Sequence, residues 1–255
     1  MRSDSAQPAH ARRGYTARID LRMTRAVLLA LTFGASVVGP VAAKGQELLG
    51  AGAAYLGVGA SGIGTAELDD RLAARGYPAF GSSAVALNLG AHIILPGGLT
   101  AGAEWHGLII GDAAHQGRDV GIGGGYGTLG LGYVVELSPR VRVYPRLGLG
   151  GGGMGLWMQS DSVVGFDDVL ANPQPVKRPR QPVLSMVSPV VDFGVGAEVL
   201  PGGWARGLMV GLRLGYLAAP SDTNWELFDY TVSDGPPANI AGPYIRALIG
   251  IGWKR

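Results

Sequence analysis

The sequence predicts an all-β fold: an eight-stranded antiparallel up-and-down transmembrane β-barrel with short periplasmic turns and long extracellular loops. Three observations carry this expectation. Segments after residue 43 alternate with period two, the signature of strands with two unlike faces. One face of these strands is apolar, while the other holds glycine and the charges. The connections between them alternate strictly between long and short, as in membrane barrels.

The eight segments are 48–60, 84–95, 99–111, 124–137, 141–159, 187–200, 208–218 and 243–255. The first is the least regular, and Ala53-Ala54 reads as a bulge. The second sets Val85, Leu87, Leu89, Ala91 and Ile93 against Asn88 and His92. The third sets Leu99, Ala101, Ala103, Trp105 and Ile109 against Thr100, Glu104 and His106. Leu129, Leu131, Tyr133, Val135 and Leu137 oppose Thr128 and Glu136 in the fourth, and Val141, Val143, Leu147 and Leu149 oppose Arg142, Tyr144 and Arg146 in the fifth. In the sixth, Val191, Phe193, Val195, Ala197 and Val199 oppose Asp192 and Glu198. The seventh sets Leu208, Val210, Leu212, Leu214 and Tyr216 against Arg213. The last places Ile245, Ala247, Ile249, Ile251 and Trp253 on one face and Arg246 with two glycines on the other.

Three connections are short turns, Pro96-Gly97-Gly98, Ser138-Pro139-Arg140 and one beginning Pro201-Gly202-Gly203. Four are long: 61–83, 112–123, 160–186 and 219–242. A Greek-key sandwich has no reason for this order. A soluble barrel would carry Lys and Glu on its polar face, whereas this polar face is small, glycine-rich and nearly devoid of Lys. Such a face suits the inside of a narrow barrel, and each segment is long enough to cross a bilayer as a tilted strand.

At this point residues 47–255 resemble, by architecture, the small eight-stranded outer-membrane barrels of the OmpA-barrel and OmpX type. In that class the last strand ends in an aromatic preceded by alternating apolar residues, which the barrel-insertion machinery reads. Ile249, Ile251 and Trp253 match that signal, followed here by Lys254-Arg255. The resemblance implies outer-membrane lipid and lipopolysaccharide as surroundings, export and insertion machinery as partners, and a monomer.

Composition agrees with export. Glycine reaches 44 of 255 residues, against a usual ~7%, and lies inside apolar segments without a collagen period. There is no cysteine, hence no disulfide framework or thiolate metal site. The pI near 9.0 invites a nucleic-acid reading, but the basicity sits in the leader. Residues 1–43 hold six Arg and two acids; removing them from 21 Lys+Arg and 19 Asp+Glu leaves 15 and 17 in residues 44–255. No basic stripe for phosphate backbones remains.

Arg25 followed by the apolar run 26–43, ending Pro40-Val41-Ala42-Ala43, describes a secretory signal peptide with cleavage after Ala43. Translation starting at Met23 would remove the extension before it. The alternative, an uncleaved anchor, is opposed by Gly34 and Pro40 within the run. Arg12-Arg13 is only a weak twin-arginine lookalike. Two domains result: 1–43 as extension and signal peptide, 44–255 as barrel.

Gly57-Val58-Gly59-Ala60-Ser61-Gly62 spells a dinucleotide fingerprint and precedes a helix expected over 66–74, with Thr65 as N-cap and Gly76 as C-cap. No acid follows at the required spacing near Ser82, and no strand–helix alternation surrounds it, so it reads as a strand end. The glycine runs 121–127 and 148–155 lack the Lys-Ser/Thr of a phosphate loop.

Glu104, Asp192, Glu198, Arg142, Arg146, Arg213 and Arg246 share the lumen parity. Buried charges must be paired, so they are expected to form a salt-bridge network filling the barrel. An interior just wide enough for side chains excludes a general porin; a narrow ion path is the sharper alternative. Asn88 is expected opposite His106 if Leu95 pairs with Leu99. His106 with Glu104 could serve as acid/base pair in an outer-membrane lipid A-modifying enzyme, though no nucleophilic serine accompanies them. A soluble lipocalin-like carrier is a further alternative. The loop aromatics Trp225, Phe228 and Tyr230, the acids Asp167-Asp168 and the cluster Lys177-Arg178-Pro179-Arg180 mark surface loops. No cofactor or metal is expected, and the main expectation is a structural or surface-interaction role in the cell envelope.

Overall fold

The computed structural model describes residues 51–115, 118–160, 184–202, 206–220, 224–227 and 230–254. The leader, the loop clusters at 167–168 and 177–180, Phe228 and Arg255 lie outside them. The strands are β1 Ala51–Gly62, β2 Ser83–Ile94, β3 Leu99–His115, β4 Arg118–Tyr133, β5 Val135–Ser138, β6 Val141–Ser160, β7 Leu184–Val199, β8 Arg206–Ala218, β9 Trp225–Leu227, β10 Tyr230–Val232 and β11 Gly242–Lys254, with one helix, α1 Ala66–Ala73.

Eight of these strands close a ring in the order β1-β2-β3-β4-β6-β7-β8-β11, and β11 returns to β1. Every neighbouring pair is antiparallel. A closed ring leaves no unpaired edge around the wall. β5 continues the line of β4 beyond Val134, whose amide is taken by Gly98 O at 2.7 Å.

The turns follow their residues. Gly97 and Gly98 have φ of +84° and +88°, which glycine alone adopts without steric cost, and Leu95 N donates to Leu99 O at 2.7 Å. Ser138 Oγ accepts from the amides of Arg140 and Val141 at 3.3 and 3.1 Å, tying the next turn. Helix α1 ends in a Schellman arrangement: Gly76, at φ +80°, donates to Ala73 O and Tyr77 donates to Leu72 O. Thr65 stands at the N-cap position but makes no capping bond. Its hydroxyl instead donates to Gly81 O at 2.8 Å, and Asp69 accepts from the amides of Phe80 and Gly81. The helix is thereby lashed to the chain that returns to β2.

Three expectations are corrected. Glu136, expected on the lumen face of the fourth strand, is exposed on β5, past the break in the strand at Val134. No bulge occurs at Ala53-Ala54, since β1 keeps unbroken register with β11 and β2. The alternation blurs there because alanine occupies both faces; the bulge lies in β3, between Ile109 and Gly111. The connection 112–123 is not a long loop but a β-ribbon, with β3 running to His115 and β4 starting at Arg118. Its glycines conceal the strand from a pattern of side chains, yet the ladder needs only backbone groups. The fingerprint Gly57–Gly62 lies inside β1.

The interior is layered. An apolar cluster fills the loop end, where Leu68 and Leu72 of α1, Trp225 and Ile240 meet Ile122, Met154 and Leu156 of the wall. A smaller one, Ala53, Tyr55, Leu200, Met209 and Leu248, lies toward the turn end. Charges lie between.

Several wall glycines have no room for a side chain. A Cβ at Gly59 would stand 1.9 Å from Ile245 O, and one at Gly150 1.8 Å from Gly127 O. Gly59→Ala and Gly150→Ala should each lower stability by about 1–3 kcal/mol, measured by urea unfolding in lipid vesicles. Gly202→Ala, with nothing within 4 Å, is the control. Equal stability of all three would contradict this packing.

Candidate functional site: the charged lumen

The inward parity of the strands gathers side chains distant in sequence. Glu104 of β3 stands at the centre. Its Oε1 accepts from Tyr55 OH of β1 at 2.6 Å, from Arg146 Nη1 of β6 at 2.6 Å, and from Arg213 Nη1 of β8. Arg213 Nη2 continues to Tyr144 OH at 2.8 Å and Tyr55 OH at 3.2 Å. Arg146 Nη2 lies 3.5 Å from Asp192 Oδ2 of β7, and Tyr244 OH of β11 donates to Asp192 Oδ1 at 2.6 Å.

A second knot lies toward the turn end. Arg142 Nε and Nη2 grip Glu198 Oε2 at 2.7 and 2.6 Å, and Tyr144 OH donates to Glu198 Oε1 at 2.6 Å. Their strands pair Arg142 directly with Glu198, which places the ion pair across one rung of the ladder. His92 stands over this knot, its Nε2 3.8 Å from Glu198 Oε2.

Arg246 differs from the other three arginines. It is fully buried, yet it meets no carboxylate within ion-pair distance among the described residues. Its guanidinium lies 3.8 Å from the centre of the Tyr244 ring and donates to Tyr126 OH and, at 3.5 Å, to Ser61 Oγ. Cation–π contact and hydroxyl acceptors thus replace the counter-ion.

Asn88 and His106 face each other across the β2–β3 ladder. Asn88 Nδ2 lies 3.2 Å from His106 Nδ1. With the amide donating there, Nε2 is the protonated nitrogen, and it faces Glu104 Oε2 at 3.1 Å. The ring is stacked on Tyr126 at 4.2 Å and has no exposed surface.

The seven charged residues singled out in the sequence therefore all point inward; six engage oppositely charged partners, and Arg246 stands apart. What the sequence reading left out are the tyrosines Tyr55, Tyr126, Tyr144 and Tyr244 as the hydroxyls that link these charges. Their signal was parity, since each lies on the same face as the arginines and glycines of its strand. A cavity of about 20 Å³, lined by Tyr55, Glu104, Tyr144, Arg146 and Arg213 among others, is left at the centre. That is room for about one water molecule. Among the described residues no group of three or more His, Asp or Glu could hold a metal ion.

Of the insertion-signal residues, Ile249 and Ile251 face outward, 57% and 61% exposed. Trp253 has the same parity but only 8% exposure, because it lies opposite Gly52 and its indole fills the space that glycine leaves.

No protein-family model matches the chain, and no curated protein matches it. Solved structures with a similar outline include Ail, the attachment invasion locus protein of Yersinia pestis, with a TM-score of 0.43, 14% identity, and coverage of 81% of this chain and 99% of that one. Another is the neisserial surface protein A, with a TM-score of 0.47, 9% identity, and coverage of 80% and 97%. Closure of the barrel stands on the strand pairing itself.

Removing one partner of a buried pair costs more than removing a charge that has none. Glu104→Ala should lower the unfolding free energy by about 3–5 kcal/mol, because it strands Arg213 and leaves Arg146 only the longer contact to Asp192. Arg246→Met should cost clearly less, since no carboxylate loses its partner. Equal losses in urea titrations of the refolded barrel would refute this pairing.

Proposed function

We propose that this chain is an outer-membrane β-barrel protein with a structural or surface-interaction role in the bacterial envelope. The observation that carries the reading is the inversion of the wall: leucine, valine and isoleucine outside, arginine and glutamate inside. On β8, Leu208, Val210, Leu212, Leu214 and Tyr216 are each 45–54% exposed, while Arg213 is 1% exposed. The same outward set recurs on other strands, as in Leu129, Leu131 and Tyr133 of β4 and Ile245, Ile249 and Ile251 of the adjacent β11. From Leu208 to Tyr216 is about 27 Å along the strand at ~3.4 Å per residue. At a tilt of ~40° that gives an apolar band about 20 Å tall, close to the ~25 Å of membrane barrels. A soluble protein leaves no such band open to water, which weighs against a lipocalin-like carrier.

In this reading residues 1–43 comprise an N-terminal extension and a signal peptide that directs export and is cleaved after Ala43. Ile249, Ile251 and Trp253 form the signal for the insertion machinery, and the protein acts as a monomer in lipid and lipopolysaccharide. The interior network and the apolar cluster above it serve to fill the barrel, so interaction falls to the loop end. In cell fractionation the protein should follow the outer membrane and migrate faster on gels before heating than after. Recovery wholly in the soluble periplasm would sink the proposal.

The 3.1 Å approach of His106 to Glu104 favours a second reading, an acid/base pair acting on lipid A. Against it, His106 is enclosed on all sides, and no lipid reaches it unless the wall opens. His106→Ala should therefore leave lipid A composition unchanged by mass spectrometry; an altered profile would favour the enzyme.

A further inference from the structure

We propose that a pocket at the loop end binds small monocarboxylic acids of about six to eight carbons, with the carboxylate at Arg71. The pocket has a volume of about 180 Å³. An aliphatic cavity of ~150 Å³ stays dry and takes up benzene, so this space suits a compact apolar group and is too small for a membrane lipid. Its floor is the cross-strand pair Leu156 and Leu184 with the buried ring of Trp225. Leu68 of α1 and Val232 of β10 also line it.

The pocket is built and not a chance gap between loops. Trp225 Nε1 donates to Pro236 O at 2.7 Å, and Arg71 Nη1 donates to Asp234 O. These two bonds pin the turn 233–236 against the helix and the floor. Asp234 has φ +59°, the one described non-glycine residue with positive φ, a left-handed conformation that aspartate followed by glycine favours in tight turns.

Arg71 is the one cation in the lining and Asp234 the one acid, which engages Arg71 through its backbone oxygen. It is exposed at the rim and has no carboxylate partner among the described residues. One of its N–H groups is engaged by Asp234 O, and among the described residues the others meet no further hydrogen-bond partner. A guanidinium edge matches a carboxylate in two parallel hydrogen bonds, so an anionic head is favoured over a neutral one. This inference stands on the loop-end geometry and does not depend on the barrel lying in a membrane.

The test uses the full chain refolded in lipid nanodiscs, with leucine methyl groups observed by NMR during titration with sodium hexanoate. Saturable shifts are expected at Leu68 and Leu156, with acetate giving none and hexanol binding several-fold more weakly. Arg71→Gln should abolish the preference for hexanoate over hexanol. Leu184→Phe and, separately, Val232→Phe should fill the space and remove the shifts, with heat-dependent gel mobility reporting that each variant still forms the barrel. Non-saturating shifts, shifts centred on the outward Leu212, or shifts that survive in both filled variants would overturn the proposal.

Discussion

The interior depends on one carboxylate. Glu104 accepts hydrogen bonds from β1, β6 and β8 on a single oxygen, while its own strand is β3. These strands lie on different sides of the ring, so the contact acts across the barrel as well as along its wall. Strand pairing fixes neighbours only, and a closed sheet of identical ladders could slip in register. A charge that must meet donors from three other strands at once specifies the registers jointly, because a one-residue slip would turn the partner outward.

Glycine makes that convergence possible. Eight strands leave an interior only as wide as the side chains that fill it, and tyrosine and arginine are large. A Cβ at Gly90 would collide with Glu104 Cγ and the Tyr55 ring, at 2.7 and 2.8 Å, and one at Gly196 with the Tyr144 ring at 2.4 Å. Long polar side chains from one strand thus lie over bare backbone of the next. The high glycine content and the buried tyrosines are two sides of one packing solution.

The eight wall strands were legible because alternation is strict where one face meets an apolar surround and the other a crowded polar interior. Legibility failed where that contrast vanished. Ala53-Ala54 looked irregular because alanine is neutral to both faces, and the ribbon over 112–123 looked like a loop because Gly121 and Gly123–Gly125 supply no side-chain pattern. The lumen charges were legible as a set, since parity alone puts them inside. Their partners were not, because a pairing such as Glu104 with Arg213 depends on the tilt and stagger of the closed sheet, which no local pattern encodes. The apolar cluster above the charges was equally hidden: Leu68, Trp225 and Ile240 come from connections that read as surface.

The layering of the interior limits where this molecule can act. Apolar residues at the loop end, from Leu72 to Trp225, cover the charges from above, and Leu200, whose side chain is fully buried, folds under them from the turn end. Charges sealed from water in this way must be satisfied by one another, which explains why nearly every arginine has a carboxylate and why each tyrosine hydroxyl is used. A network so committed has little freedom to open a path, since moving Arg213 would leave Glu104 with Arg146 as its one arginine and would take a donor from Tyr55 and Tyr144 together. The wall is satisfied by its ladder, and the ion pairs satisfy most of the interior, leaving Arg246 Nε and Nη1 and His92 Nδ1 among the buried groups without a hydrogen-bond partner in the described residues, while at the loop end Arg71 stands exposed to solvent.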